Sequence, residues 1–506
     1  MTSAVARPPI PWGLSMAEEL AAFARLKSRL AVLWAQVFPR DDEPYTSVIV
    51  PSISVSPDVL RRRPGAHFYE ETLLFLLIRL RNPRARVVYV TSAPIPQPVL
   101  DYYLQFLAGI PVSHAAARLT LLSAYDHSPR SLTEKILERP RLVERIRAAV
   151  PDLDRAYLTV LRSTPLERRL AVLLGIPLNA ADPAMDPLVS RSCARRLFRE
   201  SGLAVPEGVE DVENEDDVVE ALVELRGRRP GLRRALLKTE SGPWSQGTAV
   251  FTYPDRADPA SLRRALSLAV PADPAETVEA CLASLKRGGT VVEELLEGDV
   301  RAASGQVRVN PRGEVILTSS HDEIRGGPLG LFSRGCAFPA DDRWRTAVQG
   351  ASLHVARALA ARGLVSRLSV EFLVVRHAGG LRVLGSEINL GVGGSTHPLL
   401  AVRFLSGGSL DPATGLFHAP SGRAKFYRAT DDLCSPDYRG LSPIDLIEVL
   451  TLNHLNYSAQ SETGVLCYML GGISEVGRIG LVAIGESREQ AGDIFAHAVS
   501  TLDRES

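Results

Sequence analysis

The sequence predicts a multidomain protein of mixed α/β and α+β class, with an N-terminal α/β domain, a larger central region and a small C-terminal α/β cap. Its 506 residues are enough for roughly three domains, each with its own core. Apolar runs typical of strands alternate with helical stretches in the first third of the chain. After Phe404 the chain turns glycine- and proline-rich before regular patterns resume, which sets the cap apart.

The N-terminal domain is expected over residues 1–186. Its predicted strands cover residues 47–53, 86–91, 118–123 and 157–161. A helical stretch near residues 68–80 lies between the first two strands. Strands that alternate with helices at this spacing favour a parallel sheet.

The central region is expected over residues 187–405. Strands are predicted at 235–239, 248–253 and 290–296, followed by a hairpin at 300–318. The acidic run 210–220 predicts the start of a solvated helix, because acidic side chains favour a helix N-terminus. Residues 319–343 are rich in glycine, proline and charge, and a connection of that length predicts a functional lid.

The cap is expected over residues 406–506. A helix is predicted at 443–453, strands at 465–469 and 480–484, and a second helix at 487–502. These elements indicate a compact α/β unit.

Bulk properties exclude several classes of protein. The formal charge is zero and no long basic block occurs, so neither a nucleic acid nor an anionic membrane is expected as a partner. Five cysteines are widely spaced without a CxxC pair, which argues against a disulfide framework or a thiolate zinc site. The N-terminus has prolines where a signal peptide would be apolar, and no run is long enough to cross a membrane. A cytoplasmic protein is expected.

Residues 364–398 predict a metal site. Two adjacent strands are expected at 368–375 and 381–388, joined by a turn around His377, and carboxylates stand near their ends. A carboxylate inside an apolar run is costly to bury unless a cation compensates it. Glu371, Glu387 and Asn389 would supply three hard oxygen ligands on neighbouring strands.

A second candidate site follows the strand that ends at Lys238. A lysine delivered by a strand beside a loop of small residues, here residues 241–247, can hold phosphates. An ordinary surface lysine before a turn remains the alternative. The apolar run 291–296 ends in Glu293 and Glu294, and by itself it indicates only a strand that meets a turn.

Several familiar motifs are absent. None of the five lysines follows a glycine, so the chain has no P-loop. No HExxH, GxSxG or GxGxxG occurs, which disfavours metalloproteases, serine hydrolases and Rossmann enzymes.

The order of these features resembles the ATP-grasp superfamily over roughly residues 187–401. The resemblance implies a central ATP-grasp fold and ATP with Mg²⁺, in two ions, as cofactors. Arg191 and Lys238 match the cations that hold the nucleotide phosphates, and the loop with Ser241, Gly242, Ser245 and Gly247 matches the phosphate-covering loop. The segment Glu293, Glu294, Leu295 and Leu296 matches the hinge that reads adenine, with Asp299 or Glu297 as the ribose ligand. Glu371, Glu387 and Asn389 match the magnesium ligands.

A narrower resemblance is to the pheganomycin-type peptide ligases. It rests on the sequences TSSHDE at 318–323, CAFPAD at 336–341, EINL at 387–390 and GGSTHP at 393–398, and on the cap sequences GVLCYMLGG and GLVAIGES. Those ligases have a domain before the ATP-grasp portion and a small domain after it. The resemblance therefore implies natural-product biosynthesis and covers most of this chain.

Two departures from the superfamily pattern concern the metal end. Gly391 stands where a basic residue is usual, so the missing cation would come from Arg367 or Arg301. The first metal carboxylate is more often Asp than Glu. Arg301 and Arg367 are expected to clamp a substrate carboxylate or to stabilise an acyl phosphate, since a guanidinium matches both; ordinary surface arginines are the alternative.

Three further residues are candidates for substrate contact: His321, Asp322 and His397. A histidine hydrogen-bonded inside a loop would explain the same pattern, so both interpretations stay open.

Together these features predict an ATP-dependent carboxylate–amine ligase that works through an acyl phosphate and releases ADP and phosphate. Its partners would be a small-molecule acid and an amine, amino acid or peptide. Ligases of this kind are often dimeric, which leaves a homodimer open. Alternatives are a kinase that stops at the acyl phosphate, or a non-catalytic nucleotide-binding partner in a biosynthetic complex.

Overall fold

The computed structural model describes residues 9–38, 42–107, 109–240, 242, 247–377 and 379–506. Three sheets organise these residues. A parallel sheet forms the N-terminal part, a small antiparallel sheet follows it, and a large antiparallel sheet takes up the rest of the chain.

The N-terminal sheet is parallel, as predicted. Its strands are β1 (Thr46–Val50), β2 (Arg86–Thr91), β3 (Leu119–Ser123) and β4 (Ala156–Val160), in the order β3-β2-β1-β4. β1 and β4 are buried along their whole length, which explains their continuous apolar runs.

Seven α-helices and one long 3-10 helix surround this sheet. They are α1 (Met16–Val37), α2 (Pro57–Arg61), α3 (Gln97–Leu104), α4 (Val112–Ala116), α5 (Leu132–Leu137), α6 (Pro140–Ala148), α7 (Pro165–Leu174) and the 3-10 helix Ala66–Arg81. Capping boxes start α1 at Ser15 and α7 at Thr164, where each cap and its glutamate satisfy backbone amides reciprocally. A second 3-10 helix, Pro183–Val189, leads out of this part.

The small sheet has the strand order β5-β9-β6-β7-β8. Its strands are β5 (Gly208–Val212), β6 (Arg234–Thr239), β7 (Thr248–Thr252), β8 (Val270–Pro271) and β9 (Thr290–Glu294), and its helices are α8 (Arg191–Glu200), α9 (Glu215–Arg228), α10 (Pro259–Leu266) and α11 (Val278–Gly288). The helix predicted within 210–220 begins only at Glu215, because the preceding residues pair with β9. Glu210 is not solvated, since its carboxylate accepts hydrogen bonds from Arg195 and Arg199.

The large sheet begins with the predicted hairpin, β10 (Val300–Val309) and β11 (Val315–Gly326). It continues through β12 (Phe332–Phe338), β13 (Ser366–His377), β14 (Gly380–Leu390), β15 (Ser409–Leu410), β16 (Phe417–His418), β17 (Ala424–Cys434), β18 (Gly464–Tyr468) and β19 (Arg478–Gly485). The main order is β14-β13-β10-β11-β12-β17-β16-β15, and β19 pairs with both β17 and β18. The helices are α12 (Arg345–Ala361), α13 (Thr396–Ser406), α14 (Pro443–Leu452), α15 (Ile473–Val476) and α16 (Arg488–Glu505). Two short 3-10 helices, Asp437–Gly440 and Leu470–Gly472, complete this part.

The lid predicted over residues 319–343 is wrong. β11 runs on to Gly326, and β12 pairs with it from Phe332 onward. The glycines of this segment lie mainly in or next to the turn between the two strands, and several of its charged residues occupy strand positions. The segment is therefore part of the sheet that carries the candidate site.

The C-terminal strands extend the same sheet. β12 pairs with β17, which was not predicted, and hydrogen bonding therefore continues across residue 405. One apolar core contains side chains of the N-terminal 3-10 helix together with others from β18, β19 and α14. The Tyr102 hydroxyl accepts a hydrogen bond from the Cys467 amide at 3.0 Å, which links the two ends of the chain. The domain limits 1–186, 187–405 and 406–506 stay a prediction.

Among the described residues, no helix is long and apolar enough to cross a membrane.

Candidate active site

The expected metal ligands converge on one end of β13 and β14. Glu371 and Glu387 are direct cross-strand partners, and Asn389 pairs with Ser369 one step along. Asn389 Nδ2 donates a hydrogen bond to Glu371 Oε1 at 2.8 Å. Because alternate residues of a strand share a face, the two carboxylates and the amide project from the same side of the sheet.

Two cations reach this carboxylate pair from the small sheet and the helix beside it. Lys238 Nζ, at the end of β6, lies 3.4 Å from Glu387 Oε1. Arg191 Nε, at the start of α8, lies 3.2 Å from the same oxygen. Both cations are buried, so Glu387 joins the small sheet to the large one across a cleft.

The two carboxylates carry opposite pKa shifts. Burial raises the pKa of Glu371, and the neighbouring charges of Glu387 and Glu323 raise it further. Burial also works against ionisation of Glu387, but the positive charges of Arg191, Lys238 and Arg325 outweigh it and lower its pKa. Glu387 is therefore anionic at neutral pH, whereas Glu371 holds a proton much more readily.

The donor set fits a hard divalent cation. Two facing carboxylates at a buried site repel each other, and a cation that binds both removes this cost. Together with the Asn389 amide oxygen they give the oxygen ligands that Mg²⁺ prefers. No three His, Cys, Asp or Glu side chains gather around one point anywhere in the described ranges.

The expected phosphate loop is described only at its ends. Ser241 and Ser245 lie outside the described residues. Gly242 lines the cleft, and the Gly247 amide donates a hydrogen bond to Glu276 Oε2 at 3.0 Å. Gly247 has a φ of +64°, and a Cβ there would collide with Thr239, so the loop returns to β7 through a position that requires glycine.

The expected adenine hinge is occupied by internal contacts. The Glu293 carboxylate accepts from Lys238 Nζ at 2.7 Å and from Arg195 Nη1 at 2.6 Å, so its side chain fixes the lysine in place. The amides of Glu294 and Leu295 donate to the carbonyl oxygens of Glu207 and Arg234. Of the hinge residues, Leu295 and Leu296 are half-buried and follow the end of β9. Adenine recognition by this segment stays a prediction.

Asp299 and Arg301 are not among the residues that line the cleft, and the ribose role expected for Asp299 and the substrate role expected for Arg301 stay predictions. The two side chains pair with each other on the surface at 3.2 Å, and Arg376 Nε contacts Asp299 at 2.9 Å. Arg301 is three positions from Ser304, the cross-strand partner of Glu371. An odd separation along a strand places the Arg301 side chain on the opposite face of the sheet.

Arg367 shares the face of Glu371 but lies four residues before it on β13. It does not line the cleft, and no described carboxylate pairs with it. The structure also explains the glycine at position 391, where a basic residue was expected. Gly391 has a φ of +101°, and a Cβ there would collide with the Leu161 carbonyl oxygen, so no side chain fits.

His321 and Asp322 do not reach the cleft, which corrects their assignment to substrate. His321 is fully buried, and its Nε2 is hydrogen-bonded to the Tyr427 hydroxyl at 2.6 Å. The Asp322 carboxylate accepts hydrogen bonds from Trp344 Nε1 and Arg488 Nη1, both at 2.8 Å. Asp322 therefore ties β11 to the start of α12 and to α16.

Because of His321, the stability of the folded protein should fall at acidic pH. Burial lowers the pKa of this histidine to about 3, from 6.5 for an exposed histidine. Below pH 6.5 the unfolded chain binds a proton at this histidine that the folded chain does not bind. The contribution of His321 to the free energy of unfolding is therefore full above pH 6.5 and is lost as pH falls toward 3. We expect His321→Gln to flatten the fall of Tm between pH 6 and pH 4, a slope worth on the order of 1 kcal/mol per pH unit per histidine.

The exposed His354 on α12 provides the matched control, since His354→Gln should leave that slope unchanged. Equal slopes for wild type and His321→Gln would contradict the assignment of a buried neutral imidazole.

His397 lines the cleft, unlike the other two substrate candidates. It is 4% exposed, its ring packs edge-on against Tyr468 at 3.7 Å, and its Nε2 has no described hydrogen-bond partner. Burial lowers its pKa to about 3, so the imidazole is neutral. Substrate contact by His397 stays a prediction.

The charged cleft residues that sequence reasoning did not identify include Glu323, Arg325 and Asp431. Glu323 accepts a hydrogen bond from the Ser304 hydroxyl at 2.6 Å. Arg325 forms no side-chain hydrogen bond or ion pair with another described residue, and its charge acts on Glu371 and Glu387. Burial raises the pKa of Asp431, and Asp432 adds to this. The alternation of Glu323 and Arg325 was the available signal, but it lay in the segment interpreted as a lid.

The cleft is large enough for a nucleotide and more, with a volume of about 590 Å³. Its walls come from all three parts of the chain. Residues 52–55 and Tyr69 come from the N-terminal part, Arg191 and Gly242 from the middle, and Asp431 and Asp432 from β17.

Solved structures share this architecture. An N5-carboxyaminoimidazole ribonucleotide synthetase, solved as an ADP complex, superposes with a TM-score of 0.53 at 13% identity, over 92% of this chain and 98% of that one. The biotin carboxylase of Campylobacter jejuni gives a TM-score of 0.53 at 13% identity, over 92% and 94% of the two chains. Both are ATP-grasp enzymes. The chain has the ATP-grasp fold.

Two relatives match this chain over nearly its whole length. The L-propargylglycine–L-glutamate ligase of Streptantibioticus cattleyicolor is 29% identical over 478 residues, which cover 92% of this chain and 96% of that protein. The IQ motif-containing protein H of Danio rerio is 22% identical over 549 residues, but the match spans only 51% of that protein. Residues 445–495 match the family described as the PGM1 C-terminal domain.

These likenesses confirm the predicted fold class and the predicted resemblance to ATP-grasp carboxylate–amine ligases. They also confirm the expectation of an ATP-dependent ligase that forms carbon–nitrogen bonds.

Proposed function

We propose that this protein joins a carboxylic acid to an amine at the expense of ATP, with an acyl phosphate as intermediate. The observation that carries the proposal is the arrangement around Glu387. This carboxylate faces Glu371 on one side and the cations Lys238 and Arg191 on the other. Such a site can hold a metal-bound triphosphate between fixed positive charges.

The nucleotide would lie between the small and the large sheet. Lys238 and Arg191 would bind its phosphates, and residues 241–247 would cover them. Glu371, Glu387 and Asn389 would hold two Mg²⁺ ions, which supply neutralisation of phosphate charge when bound. Glu293, itself paired with Arg195, keeps Lys238 in position through the contact at 2.7 Å.

In the first step a carboxylate oxygen of the acid attacks the γ-phosphorus of ATP, and the bond to the β–γ bridging oxygen breaks to release ADP. In the second step the amine nitrogen attacks the acyl carbon. Phosphate leaves with the former carboxylate oxygen, and the ammonium proton passes to phosphate or solvent. Arg325, which lines the cleft, would neutralise the acyl phosphate, since no side chain fits at position 391 and Arg301 lies on the opposite face.

The relative that joins L-propargylglycine to L-glutamate supports amino acids as both substrates. Asp431 supports an ammonium group in the cleft. Apart from its own backbone amide, no described residue donates a hydrogen bond to its carboxylate, and burial makes that carboxylate costly to ionise. A homodimer stays part of the proposal through the resemblance alone.

The test is a product assay with Mg-ATP and pairs of L-amino acids. We expect ADP and phosphate in equal amounts, formed only when both an acid and an amine are present, and an amide product by mass spectrometry. The control reaction contains the acid and Mg-ATP but omits the amine acceptor.

Each other outcome favours a different function. ADP release with a phosphorylated product and no need for amine would indicate an acyl-phosphate-forming kinase. Binding of Mg-ATP by calorimetry without turnover across the amino acid panel would favour a non-catalytic nucleotide-binding partner.

A further inference from the structure

Four arginines lie together where the N-terminal part meets the large sheet. Arg79, Arg308, Arg367 and Arg403, termed the arginine cluster, come from the 3-10 helix Ala66–Arg81, β10, β13 and α13. Arg308 and Arg367 are direct cross-strand partners. Side chains in such positions are about 5 Å apart at Cβ, and like charges there are unfavourable.

The positive charges act on one another. Burial lowers the pKa of Arg367 to about 10, with further lowering by Arg79 and Arg403. Burial likewise lowers the pKa of Arg308 to about 9, again with neighbouring arginines, here Arg367 and Arg79, adding to it. The four guanidiniums therefore form one connected positive region.

Only neutral groups contact the cluster. Arg308 Nη2 donates to Asn179 Oδ1 at 2.5 Å, and its guanidinium lies over the Trp34 ring at 5.4 Å. Arg79 donates to the hydroxyls of Ser47 and Thr159 and lies over Tyr157. Among the residues that the structure describes, no carboxylate pairs with any of the four. Arg308 is 8% exposed, and its Nε has no described hydrogen-bond partner.

None of the four arginines lines the cleft, but Arg367 lies farther along the strand face that carries Glu371. Arg367, Ser369 and Glu371 alternate on β13 and so share a face. At about 3.3 Å per residue, Arg367 lies roughly 13 Å along the strand from Glu371. Between them, Gln306 Nε2 donates to the hydroxyls of Ser369 at 2.8 Å and Ser395 at 2.7 Å, and both serines line the cleft.

We propose that the arginine cluster binds an oxyanion, and that in turnover this is a carboxylate of a substrate whose reacting group lies at the metal carboxylates. Guanidinium groups match carboxylate and phosphate oxygens through paired hydrogen bonds, which makes four of them a site for such an anion. A peptide of about four residues spans the separation, since each residue extends 3.3–3.6 Å. The assignment to a substrate rests on the proposed ligase function; the anion site itself does not.

The first arm of the test measures Tm of the full chain at constant ionic strength, with Mg-AMP-PNP present to fill the nucleotide site, as inorganic phosphate replaces chloride. We expect phosphate to raise Tm by roughly 2–4 °C. Arg367→Gln and, at the exposed end of the cluster, Arg403→Gln should each lose at least half of that shift. Arg256→Gln, which removes an arginine of the small-sheet part whose side chain is 87% exposed, should keep it.

A second readout separates binding from a structural role. Without added oxyanion, Arg367→Gln should have a Tm equal to or above that of wild type, because it removes a like-charge contact. A lower Tm together with an unchanged phosphate shift would overturn the proposal. Failure of Mg-AMP-PNP to bind would count against the proposed function instead.

The second arm identifies the source of the anion. Arg367→Gln should raise KM about 10-fold for peptide acceptors of about four residues with a free carboxylate, and leave KM unchanged for the same peptides capped as carboxamides. Equal KM effects on both forms, with loss of the phosphate shift, would assign the site to free phosphate and overturn the substrate carboxylate.

Discussion

Glu387→Gln is expected to lower kcat for ADP formation by about 10²–10³-fold. Glutamine keeps the size of the side chain but removes the charge that lies between the metal site and the cations Lys238 and Arg191. The fold should survive, because Glu387 stands at the cleft end of β14 and its side chain is 22% exposed. Steady-state kinetics with circular dichroism check both statements.

The affinity of this variant for ATP provides a second, independent test of the role of Glu387. Loss of the carboxylate removes one negative partner from each cation, so ATP binding without Mg²⁺ should be as tight as in wild type or tighter, while the effect of Mg²⁺ on binding weakens. Glu314→Gln, at an exposed carboxylate of the β10–β11 hairpin, should match wild type in every measurement. A Glu387→Gln enzyme with wild-type kcat would remove the central carboxylate from the mechanism.

Arg325→Gln is expected to lower kcat by about 10²-fold or more, with KM for ATP changed less than about threefold. Arg325 lines the cleft and acts on Glu371 and Glu387, so its charge stands near the point where acyl phosphate charge develops. Rapid-quench measurement of ADP formation with and without amine locates the affected step.

Arg301→Gln is the matched control for Arg325, since Arg301 is a surface arginine on the other face of the same sheet. It should retain near wild-type kcat. The reverse result, with Arg301 essential and Arg325 dispensable, would show that the acyl phosphate lies on the opposite side of β10.

Local patterns in the sequence were sufficient for much of this fold. The N-terminal strands and the β13–β14 pair stand out because their apolar runs are continuous and bounded by turn residues. Glu371 and Glu387 stand out because a carboxylate in such a run needs compensation. Lys238 was identified for the same reason, as a charge at the end of an apolar strand.

Non-local pairing explains what the sequence did not reveal. β12 pairs with β17, about ninety residues later in the chain, and the polar residues of β17 conceal its strand pattern. Without that pairing, residues 319–343 were interpreted as a lid. Arg325 lies in this segment and was therefore not identified as a site residue. The sequence also did not show how deeply a polar side chain is buried. His321 and Asp322 were predicted as site residues, but their side chains hydrogen-bond to Tyr427, and to Trp344 and Arg488, respectively.

The register between strands decides the roles of the arginines. Arg301 lies on β10 and Arg367 on β13, which pair with each other. An odd separation from Ser304 puts Arg301 on the opposite face, whereas an even separation from Glu371 keeps Arg367 on the site face. Only the register of β10 with β13 shows that Arg367 meets Arg308.

The acyl phosphate is tested most directly by oxygen transfer. With a pool of L-amino acids labelled with ¹⁸O in the carboxyl group, an amine acceptor and unlabelled Mg-ATP, one ¹⁸O per turnover should appear in inorganic phosphate and none in ADP. Label found in AMP, or phosphate without label while amide accumulates, would contradict the acyl phosphate and the role assigned here to the Glu371–Glu387 cleft.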